Sequence, residues 1–135
     1  MCSSDLAMAM NLNRVVSKAG RNIIFICHED RPEKDKEGAV LFITMLLGSS
    51  LVVELPVRLS EIWHMEDTGR ERRIAIRNCR NWKPMKSRMF ISTGEPEFKW
   101  TFDANKWDDP KNKSMLISTW FNNWKEGNSK INLPK

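Results

Sequence analysis

Cysteine, histidine and long apolar runs are all scarce in this chain, and each scarcity removes a class of function. The three cysteines, Cys2, Cys27 and Cys79, stand far apart with no C-x-x-C pair, so neither a disulfide framework nor a zinc site is expected. The two histidines, His28 and His64, are not spaced as metal ligands on one face of a helix, and any metal would have to arrive with a nucleotide. No apolar run approaches the roughly 18 residues of a membrane span, so a soluble chain with no membrane partner is expected. The opening "MCSSDL" lacks the basic segment and apolar stretch of a signal peptide. Residues 1–6 read instead as a translated sequencing-adapter remnant, in which case the natural start is expected further upstream, or as a plain short polar N-terminus. A Ser-His-Asp set cannot be assembled, and no G-x-x-x-x-G-K-S/T phosphate loop occurs. Catalysis of phosphate chemistry by this stretch alone is therefore not expected.

What is present is one ordinary core's worth of apolar residues. The 135 residues are 41% hydrophobic and 29% charged, normal for one domain or part of one, and the net charge of +5 permits a polyanionic partner without requiring it. In residues 6 to 20, Leu6, Met10, Leu12, Val15, Val16 and Ala19 recur near a 3.6 period and stop at Gly20, which predicts a helix. "NIIFICHED" follows, with Ile23, Ile24, Phe25 and Ile26 all apolar, as in a strand buried on both faces of a parallel, helix-covered sheet. The charged "RPEKDKEG" reads as a mobile surface loop. Residues 46 to 55 read as mixed turn and helix broken at Pro56, and "RLSEIWHMED" as a strand paired through Thr68-Gly69 with "RRIAIRNC". "SMLISTWFNNWKEG" predicts a helix capped by Ser114 and stopped by Gly127.

Three groups of residues carry candidate chemistry. His28 and Glu29 end the apolar strand, where ligands of open α/β sheets bind; either they face a phosphate or His28 satisfies loose backbone groups. From Arg70 to Arg88 the chain holds eight Lys and Arg against one Glu. Arg73, Arg77, Arg80, Trp82 and Lys83 combine charge and an aromatic as a single-strand nucleic-acid surface does, while a solvated hairpin rim would look the same. Lys86 and Arg88, two residues apart, would share one side of an extended segment and present two cations to one phosphate. Phe98, Trp100 and Phe102 alternate as core residues of a strand do.

The order of these parts resembles the C-terminal half of RecA-like P-loop ATPases, most closely the AAA-family nucleotide-binding proteins of phages and prophages linked to single-strand annealing recombination. The resemblance spans residues 7–93 and rests on "ICHED", "LPVRLSEIWHME" and "RRIAIRNCRNWKPMKSRMF". It implies a partial RecA-like α/β sheet with a C-terminal β-hairpin, followed over residues 94–135 by an irregular Trp-rich extension. It also implies that His28, with Glu29, senses the γ-phosphate, and that Lys86 and Arg88 of "KSR" reach a neighbouring subunit's nucleotide. The whole protein would then bind ATP with Mg2+, form a homo-oligomer and act on single-stranded DNA in the host cytoplasm during recombination or replication. The alternative is a non-enzymatic single-stranded nucleic-acid-binding domain using the basic hairpin. A phage structural or interaction protein with a charged rim is a third reading.

Overall fold

The computed structural model describes residues 3–43, 51–81 and 84–134. Its class is mixed α/β, built from small sheets and short helices. Packing divides the chain into two units, Met1–Leu59 with Asn81–Pro84, and Ser60–Arg80 with Met85–Lys135. No helix among the described residues is long and apolar enough to cross a membrane.

The first unit begins with the expected helix, α1, Ser3–Lys18. Its end is built as the sequence predicts. Gly20 takes a φ of 66°, where a side chain would be strained, and this lets its N–H reach the Ser17 carbonyl while the Arg21 N–H reaches that of Val16. The apolar stretch that follows departs from expectation. Residues 21–28 are not in a strand, and Ile24 and Ile26 are 64% and 94% exposed. An apolar run becomes a buried strand only when neighbours complete its ladder, and within this stretch no residue pairs; Glu29, just beyond it, makes a single β-bridge.

The charged segment is an ordered hairpin. Strands β1, Glu33–Lys34, and β2, Val40–Phe42, pair antiparallel across a bulge. Asp35 closes the turn, its Oδ1 accepting from the N–H groups of Glu37 at 2.9 Å and Ala39 at 2.8 Å. Helix α2, Leu51–Arg58, runs through Pro56 instead of stopping there. Proline's fixed φ is already helical, and in a helix this short it forfeits a single bond to the carbonyl four residues back. The expected turn and helix over residues 46–50 lies outside the described residues.

In the second unit, β3, His64–Asp67, and β4, Arg72–Ala75, form the expected hairpin, although β3 is shorter than predicted. Gly69 N–H donates to Asp67 Oδ1 at 2.8 Å and Thr68 N–H to the Glu71 carbonyl at 3.1 Å, which shapes the Thr68-Gly69 turn. Phe90–Ile91 forms β5, and β6, Glu97–Trp100, adds a third antiparallel strand to β4. A 3-10 turn, Ala104–Lys106, leads to α3, Pro110–Lys113, which is capped by Asp109. Helix α4, Ile117–Lys125, starts three residues after the predicted Ser114, whose hydroxyl instead donates to the Lys111 carbonyl at 2.6 Å. The last strand, β7, Lys130–Ile131, lies parallel to β5, and this is the only parallel pair among the described residues.

The core of this unit joins the hairpin to the Trp-rich stretch. Ile74, Ile76, Met89 and Ile91 pack with Phe98, Met115, Trp120 and Ile131, all buried. Of the alternating aromatics only Phe98 is fully buried; Trp100 and Phe102 are half-buried and stack on each other with ring centroids 5.7 Å apart.

Candidate functional site

Hairpin register decides where the basic run points, because strand partners and diagonal neighbours on one face lie within reach of long side chains. Arg72 faces Asp67 in the ladder, and its Nε donates to that carboxylate at 2.8 Å. Arg73 donates to Glu71 Oε1 at 2.5 Å and Glu97 Oε1 at 3.0 Å. Arg80 reaches Glu66 Oε2 at 3.0 Å and the same Glu97 oxygen at 2.9 Å. Lys99 adds an ion pair to Glu71 at 3.4 Å. Sequence reasoning missed Glu66 and Glu97 as partners, and the period-two alternation of the strands was the only signal that could have found them. Three of the eight cations of the run, Arg72, Arg73 and Arg80, are thus met by carboxylates of the three-stranded sheet and its turn.

Arg77 has a different role. Its Nη1 donates to the Ser87 carbonyl and its Nη2 to the Met89 carbonyl at 3.0 Å, while the guanidinium carbon lies 4.7 Å from the centre of the Phe90 ring. Arg73, Arg77 and Arg80 therefore hold protein groups in place. Trp82 and Lys83 lie outside the described residues.

Lys86 joins a β-bridge with Ile62, through Ile62 N–H to Lys86 carbonyl at 2.7 Å and Lys86 N–H to Ile62 carbonyl at 3.2 Å. Arg88 sits at a bend two residues later. The Arg88 side chain is exposed, while its N–H donates to Glu61 Oε1 at 2.8 Å. Glu61 was not foreseen as a partner. His28 and Glu29 are both exposed and belong to the other unit, at the end of the extended stretch.

Two carboxylates are held below their ordinary range. Asp67 is lowered by the Arg72 hydrogen bond and then by the Gly69 N–H; Glu71 is lowered first by Arg73 and then by Lys99. A depressed folded value means that the stabilisation is complete above the ordinary values near 3.8 and 4.5 and is lost as pH falls through the folded ones. Thermal unfolding midpoints are therefore expected to decline as the solution is acidified below pH 4.5. Combining Asp67→Asn with Glu71→Gln should flatten that decline, and an unchanged slope in the double variant would place the acid sensitivity elsewhere.

Neither described cysteine is prepared as a nucleophile. Burial pushes the Cys27 thiol up, and Cys79 is raised by burial and then by Glu97, toward which its Sγ donates at 3.8 Å. Among the described residues no three His, Cys, Asp or Glu side chains are grouped to hold a metal ion.

Compared with family models, curated proteins and solved structures, the chain finds no match in any of the three.

Proposed function

We propose that this chain is the C-terminal part of a RecA-like ATPase of phage type, which in its whole form binds ATP, assembles as a homo-oligomer and acts on single-stranded DNA. In this reading Arg88, with Lys86, is offered to the nucleotide of a neighbouring subunit, and His28 with Glu29 senses the γ-phosphate. The observation that carries it is the contrast inside the basic run. The guanidinium groups of Arg72, Arg73, Arg77 and Arg80 are engaged by carboxylates or carbonyls; Arg70 and Arg88 are both exposed, and of these two Arg88 sits on a backbone held by other side chains. A fixed backbone under an exposed cation suits a group that must stabilise charge developing on a transferred phosphoryl group.

The first unit adds support. Ile24 and Ile26, with Met8, Leu12 and Val15 of α1, are large apolar side chains exposed together over one short span. Isolated exposed apolar residues are ordinary, but a dense set in a helix and an adjoining extended stretch is what a sheet lacking its neighbouring strands would leave. The single-strand-binding alternative draws on Arg73, Arg77 and Arg80, which already bond protein groups, and on Trp82 and Lys83, which lie outside the described residues.

In the full-length protein, His28→Ala is expected to lower kcat for ATP hydrolysis by about 10²-fold while leaving nucleotide affinity little changed, because a group that acts on the reacting phosphate contributes mainly in the transition state. Equal losses in kcat and affinity would mean that His28 is a binding residue only. No loss in either would remove it from the site.

A further inference from the structure

We infer that Glu61 is a positioning residue for Arg88, an inference that rests on the reading of Arg88 as the cation that acts in trans. The geometry is specific to one peptide plane. The unit joining Ser87 to Arg88 presents its carbonyl to Arg77 Nη1 and its N–H to Glu61 Oε1, so that side chains grip it at both polar groups. The next peptide N–H, that of Met89, donates to Ser87 Oγ at 2.9 Å, and the Met89 carbonyl accepts from Arg77 Nη2. Both peptide planes flanking the Arg88 Cα are thereby fixed, and only its side chain is left to move.

Glu61 is itself held. Its second oxygen, Oε2, accepts from the indole Nε1 of Trp63 at 2.8 Å. The Trp63 ring packs against Trp120 at 5.7 Å and Phe121 at 5.9 Å between centroids, which ties the carboxylate to helix α4. A chain of contacts thus runs from a buried tryptophan, through an indole and a carboxylate, to the main chain of an exposed arginine. Arg70, Arg72 and Arg80 of the basic run are exposed as well, but Arg88 is the one whose main chain is gripped in this way by the side chains of Glu61, Arg77 and Ser87 among the bonds described. Orientation fixed before encounter is what a trans-acting cation needs, since a small misplacement of a charged group is costly in rate.

The test is a double-mutant cycle in the full-length oligomer, read by kcat, KM, oligomer mass and amide exchange at Arg88. Glu61→Ala is expected to lower kcat about tenfold by loosening the arginine, at unchanged KM and oligomer mass, and to speed exchange of the Arg88 N–H without nucleotide present. Glu61→Gln keeps one oxygen acceptor and should recover part of the loss. In an Arg88→Ala background, Glu61→Ala should cost nothing more. The inference is overturned if Glu61→Ala leaves kcat intact, or if it costs the same factor with and without Arg88, as a purely structural residue would. Should Glu61→Ala fail to fold, the Gln variant carries the same cycle. An Arg88→Ala protein with full kcat would instead overturn the reading of Arg88 itself, and this inference with it.

Discussion

Full-length protein carrying Arg88→Ala is expected to hydrolyse ATP about 10³-fold more slowly than the parent, the low end of what removing a trans-acting arginine costs. Mixing it with subunits whose own nucleotide binding has been disabled is expected to restore activity. Each homo-oligomer is inactive for a different reason: one binds ATP but offers no cation, and the other offers the cation but binds no ATP. In a mixed oligomer an Arg88→Ala subunit can sit beside a neighbour that still presents Arg88, and that junction is expected to turn over. Recovery should follow the number of such junctions and vanish when the oligomer is diluted below its assembly concentration. If mixing recovers nothing under conditions where mixed oligomers are demonstrated by mass, Arg88 does not act across a subunit boundary. Lys86→Ala tests the second cation in the same way. A smaller loss is expected for Lys86, because an ammonium is a point charge whereas the guanidinium fork can hold two phosphate oxygens in a set orientation.

The local elements were legible where the signal was local. The helix of residues 6 to 20 and its Gly20 stop follow from period and from the backbone freedom of glycine, and α1 ends through that residue. The hairpin was readable from Thr68-Gly69 and from the apolar Ile74 and Ile76, although Ala75 between them is buried as well and Ile76 lies just past β4. Pro56 was misread because a breaker rule was applied where fixed φ is compatible with a short helix. Burial of "NIIFICHED" was inferred from composition, yet composition reports only what a segment would gain from partners, not whether partners are beside it.

At the candidate site the limit was distance along the chain. Arg73 and Glu97 are 24 residues apart and Arg80 and Glu97 are 17 apart, so no local count of charges could show that these two arginines are paired. Which carboxylate meets which arginine depends on strand register and on the third strand, β6, joining β4. The same holds for Glu61, 27 residues from Arg88. A basic run read in one dimension therefore gave no sign of these partners and no reason to single out Arg88 by its support. The Trp-rich stretch, which the resemblance left without a role, supplies part of that support through Trp120 and Phe121, which pack on Trp63.

Trp120→Ala is expected to be the most destabilising single change in the second unit, by about 3–5 kcal/mol. Trp120 is 1% exposed, lies edge-on to Phe98 at 5.4 Å and packs against Trp63. Its Nε1 donates to the Ser114 carbonyl at 2.6 Å, so truncation opens a cavity and removes a donor from a main-chain acceptor at one stroke. Small domains are stable by only about 5–15 kcal/mol, so a loss of this size should lower the melting midpoint by roughly 15 °C. Trp120→Phe retains much of the packing but not the hydrogen bond, and should fall between Trp120→Ala and the parent. Trp107, 58% exposed, is the control: Trp107→Ala should shift the midpoint little, despite identical chemistry at the substituted side chain. Similar losses at the two positions would mean that the tail does not complete the hairpin core as described. Because Trp63 orients Glu61, the Trp120→Phe protein, assayed well below its melting midpoint in the full-length oligomer, should also lose kcat in proportion to the loosening of Arg88. A variant that melts earlier yet keeps its full kcat would separate the two roles and leave Trp120 a core residue alone.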